Sequence, residues 1–524
     1  MNAGGGARHL RRRWDRWVLR TQGRLDGAAA DRLLPWAFAG VAFTLYAALA
    51  AAAIRSLEGG SGLAPWLQAA WRRGNGGVGA PLGGVDPASG SGSLVGEAVA
   101  RMAAIVPPEA MFVVVQSAAL ALAIVPLWRI AREEAHLRVG ATSVIVAALC
   151  LAPTLHRTLL SSFHPEVVAL PALLWALLHG RRGAGVQFWA CVAIVLATRA
   201  DLGLSVAALG LVLWFTVRWR AGLIAAAIGT VWTLAAALAI DPSIPDHPLT
   251  PAGEFVARSV GPLAVVARIG RDPLSQLGQL ATAPALTFLV VVLAPLLFLP
   301  LVAPRRASAA VPALALAMIA DADVQEAAQR GVISLSPAAA HIAPAMAFVF
   351  VALVFALERI GQISVTRVNV DRRLLAAMLA GATLFFLTEA PTSPFERPWT
   401  WGGRDVVDGA RELATGPIAE GDAVAASPGV VALVAERAVV VELPLDPADL
   451  TPTRIERVAG SVDAVVLDTT SVDPQTEQPV WDAAERRRVV RSFVREGLVE
   501  AYQAQGIVLL VEPDDGGQVP TTSG

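Results

Sequence analysis

Two short polar runs interrupt the apolar stretches of this 524-residue chain and hold the residue types that chemistry needs. The first is Ser161-Ser162-Phe163-His164-Pro165-Glu166. An imidazole exchanges a proton near neutral pH, so His164 suits an acid, a base or a ligand, and Glu166 is near enough in sequence to share its site. Pro165 suits the first turn of a helix, whose N-terminal dipole favours an anion beside it. The second run is Thr198-Arg199-Ala200-Asp201. A carboxylate beside a guanidinium there would bind a phosphate, directly or across a bridging metal. The blander readings are a helix start with a polar rim for the first run and a structural Arg–Asp pair for the second. His164, Glu166 and Asp201 are the candidate catalytic groups, and Arg199 is a candidate substrate-binding group.

The elements that position these residues must belong to a membrane protein. Hydrophobic residues make up 55% of the chain and charged residues 16%, against roughly 25% charged in an ordinary soluble domain. Mean hydropathy is +0.56. A soluble enzyme, a disordered chain and a disulfide-stapled secreted domain are excluded. Basic and acidic residues number 42 and 43, so net charge does not inform on partners, and every basic residue is arginine. Cys150 and Cys191 both sit in apolar blocks and read as packing residues. The sequence has no Walker loop, no GxGxxG after a strand, no CxxC pair and no HExxH. It has no basic, aromatic-interleaved patch, so nucleic acid is not an expected partner.

Apolar blocks fall at residues 33–54, 109–128, 139–153, 165–179, 186–198, 202–217, 221–240, 284–303, 308–320, 337–358 and 374–389. A helix needs roughly 20 residues to cross a hydrocarbon core, and blocks 186–198 and 308–320 are short enough to be half-helices. Reading 33–54 as an uncleaved first helix puts the basic segment 1–32, with Arg8, Arg11, Arg12, Arg13, Arg16 and Arg20, in the cytoplasm by the positive-inside rule. Later loops on that side carry Arg129, Arg132 and Arg138; Arg181 and Arg182; Arg218 and Arg220; Arg305 and Arg306; and Arg359, Arg367, Arg372 and Arg373. Two short outside loops carry only Arg157 and Arg330. The sequence therefore predicts a mainly α membrane protein with about 11 transmembrane helices in the plasma membrane, N-terminus inside and C-terminus outside. Trp17, Trp36, Trp128 and Trp219 lie near block ends, where indoles favour the headgroup layer.

Within the polytopic domain, 33–390, two outer loops are long. Residues 55–108 include a Gly/Ser/Pro-rich stretch, 74–93, expected to be mobile. Residues 241–283 include 254–280, patterned as an interfacial helix. From 399 to 513 the pattern is that of a small extracytoplasmic α/β domain. Helices are predicted over 405–413 and 485–495, and strands over 422–427, 438–443, 461–468 and 507–512. Residues 514–524 read as a disordered tail. The topology puts His156, Arg157, His247 and His341 on the same side as His164, and the first two are candidate substrate-binding residues. A divalent metal could be assembled from these histidines, but their spacing has no ligand signature and no metal ligand is assigned. Asp86, Glu97 and Arg101 read as solvated loop residues, and Asp241 and Asp246 as turn residues.

Phe163-His164-Pro165-Glu166, Pro171-Ala172-Leu173-Leu174 and Thr198-Arg199-Ala200-Asp201-Leu202, with Gln116 inside 107–132, resemble a bacterial family of predicted multi-pass membrane proteins, domain-of-unknown-function family 2079. Residues 425–443 and 464–468 resemble its extracytoplasmic end. That family's architecture is similar to the C-type (GT-C) glycosyltransferases, which take a sugar from a polyprenyl-phosphate donor on the outer face using an acidic residue of the first outer loop. The resemblance thus implies a GT-C-like bundle, a polyprenyl-phosphate sugar donor, and membrane lipids as surroundings. In the first outer loop Gln68 and Trp71 match the family pattern and become candidate substrate-binding residues, whereas both acidic positions are gone. The Lys-Glu-Asp triplet of the pattern is Arg199-Ala200-Asp201 here. Two further readings stay open: a catalytically degenerate relative that binds a lipid carrier or a partner protein, and a transporter.

Overall fold

The computed structural model describes residues 26–57, 60–82, 86–90, 92–239, 273–274, 278, 280–281, 283–320, 342–364, 367–395, 402–472 and 479–513. His247, His341, Asp241, Asp246, the arginines before residue 26 and most of the helix expected over 254–280 lie outside them. The membrane part begins with α1 (Ala28–Arg55), α2 (Gly60–Gly74), α3 (Leu94–Ala103) and α4 (Pro108–Leu122). It continues through α5 (Ile124–Arg129), α6 (Val139–Cys150), α7 (Pro153–Ser161), α8 (Ala169–Arg181), α9 (Gly185–Thr198), α10 (Gly203–Val217) and α11 (Arg220–Ala239). After these come α12 (Ala283–Leu293), α13 (Val311–Ala320), α14 (Ala343–Ile360) and α15 (Arg372–Glu389).

Burial follows sequence periodicity. Helix α1 buries Pro35, Ala39, Ala42, Tyr46, Ala50 and Ala53, in steps of three and four that keep one face inward. Alanine at most of these positions lets α4 pack closely, while Leu33, Val41 and Leu45 stay exposed. Helix α14 is apolar all round and is buried from Ala343 to Leu357, the behaviour of a helix at the centre of a bundle.

Four helical stretches are long and apolar enough to cross a membrane: Ala28–Arg55, Pro108–Glu134, Ala200–Val217 and Ala343–Ile360. The α6–α7 pair, bent by 42°, makes a fifth if it is one span. Helices occur at all eleven apolar blocks, but several are short. A helix of 10–15 residues, such as α13 or α9, reaches only about 15–22 Å at 1.5 Å per residue. Trp128 is fully buried and donates to Asp31 Oδ1 (3.3 Å), so it is a core residue and not an interfacial anchor.

Helices α10 and α11 form a tight hairpin. Gly203 and Gly210 on α10 face Gly229 and Gly222 on α11, each pair seven residues apart on its helix. A Cβ on Gly203 would stand 2.3 Å from the Gly229 carbonyl oxygen, and one on Gly210 would stand 2.3 Å from that of Gly222. Only hydrogen fits at these crossings, as in small-residue membrane interfaces. Gly203 follows Asp201 by two residues, so this contact also fixes where the second polar run lies.

In the connection 55–108 helices α2 and α3 flank the Gly/Ser/Pro-rich stretch 74–93. A hairpin of β1 (Gln362–Ser364) and β2 (Arg367–Asn369) between α14 and α15 had no counterpart in the sequence reading. Beyond it lie α16 (Val406–Thr415), β3 (Val424–Ala426), β4 (Val440–Glu442), α17 (Pro452–Ala459), β5 (Ala464–Asp468), α18 (Ala483–Arg495), β6 (Val499–Ala504) and β7 (Ile507–Val511). Strand β6 and helix α17 were also unanticipated. The sheet order is β4-β3-β5-β7-β6, with β3 parallel to β4 and β5, and β7 antiparallel to β5 and β6.

Side chains alternate across this sheet. Val424, Ala426, Val440, Val466 and Leu509 share a core with Leu63, Trp66 and Leu67 of α2 and with Ala410 of α16. Ala425, Val441, Val465 and Leu510 on the other face meet Ile455 of α17 and Phe493 of α18. One face of the sheet therefore rests on the segment that joins α1 to α4. Replacing Gly210 by valine is expected to destabilise the protein by about 1–3 kcal/mol, read as a lower thermal midpoint in detergent. Gly40→Ala, on a position of α1 with nothing near its Cβ, is expected to leave the midpoint within about 0.5 kcal/mol.

Candidate active site

Both polar runs lie at breaks of the same design: a helix ends, one or more residues run extended, and a tight turn starts the next helix. Helix α7 ends at Ser161, Ser162 is extended, and Pro165–Val168 turns into α8. Helix α9 ends at Thr198, Arg199 is extended (φ −162°, ψ 148°), and Ala200–Leu202 turns into α10. A broken helix leaves carbonyls without intrahelical donors. At the first break Gln116 of α4 supplies one: its Nε2 donates to Thr158 O (2.9 Å), Leu159 O (3.2 Å) and Ser162 O (2.9 Å). Its Oε1 accepts from the His164 backbone N–H at 2.7 Å.

The two breaks meet through Arg199. Its Nε and Nη2 donate to Asp201 Oδ1 (2.8 Å) and Oδ2 (2.9 Å), a bidentate pair, and its Nη1 donates to Glu166 Oε1 at 2.9 Å. All three residues are buried. His164 Nδ1 stands 3.6 Å from the same Glu166 oxygen and is the more accessible member, too far for a good hydrogen bond but within ion-pair reach when protonated. His164, Glu166, Arg199 and Asp201 are thus brought into one cluster. The guanidinium, read from sequence as a phosphate holder, instead commits three N–H groups to two carboxylates.

The other candidates lie elsewhere. His156 is buried against the edges of Tyr46 and Phe386. Its Nε2 contacts Cys150 O (2.7 Å) and its Nδ1 contacts Thr392 Oγ1 (2.8 Å), so the ring pins the α6–α7 bend to the residues after α15. Arg157 donates to the Glu389 carbonyl at 2.9 Å. Gln68 joins α2 to the sheet domain, donating to Ala80 O (3.1 Å) and Arg437 O (3.4 Å). Trp71 is half-buried on α2 and its carbonyl accepts from Asn75. Among the described residues, no group of three or more His, Cys, Asp or Glu side chains is placed to hold a metal.

Sequence reasoning missed two supports of the cluster. Trp66 meets the Phe163 ring edge-on (5.0 Å between centroids, 89°), and Phe163 lies 4.9 Å from Phe112. These rings hold the residue next to His164 against α2 and α4. Gln116 was noted only as part of a helix, although a glutamine inside an apolar block was the available signal. Beside it opens a small cleft lined by Ala50, Ile54, Phe112, Leu160, Ser162 and Phe163, among others.

The first-loop acids are not solvated loop residues. Arg73 makes two 3.0 Å bonds to Asp86 and a 3.0 Å bond to Glu97, which also accepts from the exposed Arg101 at 2.7 Å. Burial of Asp86 opposes its charge. Hydrogen bonds from Arg73 and from the Ser89 and Ala88 N–H groups nevertheless hold its carboxyl below the usual range. Arg73 does the same for Glu97.

A family match covers residues 99–492, and the chain belongs to that family, described as predicted membrane protein (DUF2079). No curated protein matches the sequence. Among solved structures, the chain is similar to ArnT from Cupriavidus metallidurans bound to undecaprenyl phosphate, at 12% identity and a TM-score of 0.48. The match covers 94% of this chain and 100% of that one. It is also similar to the arabinofuranosyltransferase AftD from Mycobacteria, at 14% identity and a TM-score of 0.42, covering 90% of this chain and 39% of that one.

Two expected outcomes follow from this geometry. Gln116→Leu leaves the His164 N–H and three carbonyls without their partner and is expected to cost about 1–3 kcal/mol, measured as a fall in thermal midpoint. Because the folded-state values of Asp86 and Glu97 are depressed, their contribution is complete above the ordinary carboxylate range, about pH 4–4.5, and is lost as pH falls through the depressed values. The midpoint difference between wild type and Arg73→Gln should therefore be steady from pH 7 to about pH 5 and shrink in more acid solution.

Proposed function

We propose that this protein is a GT-C-like glycosyltransferase that takes a sugar from a polyprenyl-phosphate donor on the extracytoplasmic face of the plasma membrane. The observation that carries the reading is the buried Glu166–Arg199–Asp201 cluster with His164 at its accessible edge. Ionic groups inside an apolar bundle are costly and mark function by default. The resemblance of both polar runs to the family pattern supports the same reading. So does the cleft beside Gln116, whose mainly apolar lining suits an isoprenoid chain. In this reading 33–390 is the polytopic domain with eleven crossings, the N-terminus is cytoplasmic, and 399–513 is extracytoplasmic.

The chemistry is displacement at the anomeric carbon. The acceptor hydroxyl forms the new C–O bond, the bond to the lipid phosphate breaks, and the hydroxyl proton must leave. His164 takes that proton and shares it with Glu166, while Arg199 fixes the orientation of Glu166 and Asp201. A divalent metal at the lipid phosphate would neutralise charge on the leaving group. Glu166 and Asp201 alone, both engaged by Arg199, do not make such a site, and no step here runs through a metal.

One observation favours a second reading, a non-catalytic binder of the lipid carrier or of a partner protein. The acids among the described residues of the first outer loop, Asp86 and Glu97, are both tied to Arg73. Full-length protein in membranes, offered labelled polyprenyl-phosphate sugars with and without divalent metal, separates the two. Transfer is expected, and is expected to fall about 10²–10⁴-fold in His164→Ala and Asp201→Asn at matched protein level. No transfer from any donor, together with donor binding that the same substitutions abolish, would replace the enzyme reading with the binder.

A further inference from the structure

The α8–α9 hairpin carries a second charged constellation at the end opposite the candidate active site. Glu166 stands just before α8 and Arg199 just after α9, whereas Arg181 and Arg182 lie where the two helices are joined. Around that joint gather Arg129, from the end of α5, and Arg305 and Arg306, from the turn before α13. Arg359 is close by, donating to the Val302 carbonyl (3.0 Å). The facing carboxylates are fewer. Glu134 pairs with Arg181 (2.9 Å), Glu133 pairs with Arg182, and Glu358 is close enough to attract Arg306.

Two of these arginines are held by rings and not by acceptors. The Arg306 guanidinium lies 3.5 Å from the centre of the Phe355 ring, and Arg181 lies 4.8 Å from the same ring. Arg129 lies 5.0 Å from the Trp175 ring, which stacks on His179. Among the described residues neither the Arg129 nor the Arg306 guanidinium donates a hydrogen bond to an acceptor, although both residues are half-buried. The charges also oppose each other: Arg129 repels Arg182, and Arg181 repels Arg306. Like charges fixed on aromatic faces, with N–H donors unanswered, are the arrangement an oxyanion would relieve.

The surroundings identify the source of that oxyanion. Ahead of Arg305, and separated from it by a turn at Leu299–Val302, the chain passes through two successive left-handed residues, Leu297 (φ +52°) and Phe298 (φ +55°). Leu297, Phe298 and Leu301 are all exposed. Strained non-glycine backbone persists where the surroundings over-determine it, and here it leaves apolar side chains exposed on the segment that leads to Arg305 and Arg306. A free phosphate ion has no use for the apolar part. We propose that Arg129, Arg181, Arg182 and Arg306 form a binding site for the phosphate headgroup of an anionic phospholipid, with its acyl chains along Phe298 and Leu301.

Purified full-length protein in nonionic detergent tests this by thermal unfolding against titrated phosphatidylglycerol, phosphatidylcholine or inorganic phosphate. Phosphatidylglycerol alone is expected to raise the midpoint with saturation. The apparent Kd should weaken roughly fivefold in Arg306→Gln and roughly 25-fold in R129Q/R306Q, and Arg101→Gln, an exposed charge on α3, should leave it unchanged. If the double variant does not fold, Arg306→Gln carries the test, because it breaks no hydrogen bond. An equal shift with phosphatidylcholine, an equal shift with inorganic phosphate, or a phosphatidylglycerol Kd unchanged in Arg306→Gln would each overturn the proposal.

Discussion

A guanidinium buried between two carboxylates sets the terms for the rest of this bundle. Taking Arg199 out of water costs several kcal/mol unless its charge is met by well-placed acceptors. Asp201 is supplied two residues away along the chain, but Glu166 belongs to a different break, between other helices. The two interruptions must therefore face each other to within hydrogen-bond distance. The glycine crossing of α10 on α11 fixes Asp201, since Gly203 rests on the Gly229 backbone. Gln116 fixes the other side by binding carbonyls at the end of α7 and the N–H of His164. Neither support touches Arg199, yet each constrains the geometry that makes its burial tolerable.

The segment that joins α1 to α4 transmits a second constraint. Helix α2 lies between the membrane bundle and the sheet domain, with Trp66 against Phe163 on one side and with Leu63 and Leu67 in the sheet core on the other. Gln68 crosses the same boundary to the Arg437 carbonyl. Glycine at residue 79, with φ +85°, brings the loop backbone into contact with Ala438, where a Cβ would fall 2.0 Å from the carbonyl oxygen. The residue preceding His164 is thus packed, through one helix, against the C-terminal sheet. Arg73, Asp86 and Glu97 stiffen the far end of α2. These acids act as structural partners of an arginine, which is why their presence in the loop does not by itself make a base.

Charge is also segregated along the α8–α9 hairpin. Carboxylates and a histidine gather with Arg199 at one end, and arginines on aromatic rings gather at the other. The apolar length of the two helices keeps the ends about 20 Å apart at 1.5 Å per residue. At that distance each cluster can serve a different surface of the protein.

Composition and block length alone established that this chain is a membrane protein, because burial of a helix face is a property of local period. The helices of the bundle occur at the apolar blocks for that reason, and β3, β4, β5 and β7 coincide with short, nearly continuous apolar runs. How many helices span was less legible: α9 and α13 read as apolar but stop short, and only folding decides whether a short helix is extended by its neighbours. Strand β6 was hidden because its burial is partial and irregular along Val499–Ala504. Sequence singled out His164, Glu166, Arg199 and Asp201 as polar residues in apolar surroundings, since the cost of an ionic group there is local. Only the tertiary structure decided that Arg199 spends itself on two carboxylates, that His156 fastens a bend, and that Gln116 and Trp66 hold the site. The deciding pairings, Arg199 with Glu166, His156 with Thr392, Gln116 with His164 and Trp66 with Phe163, join residues tens of positions apart, and no spacing along one helix encodes them.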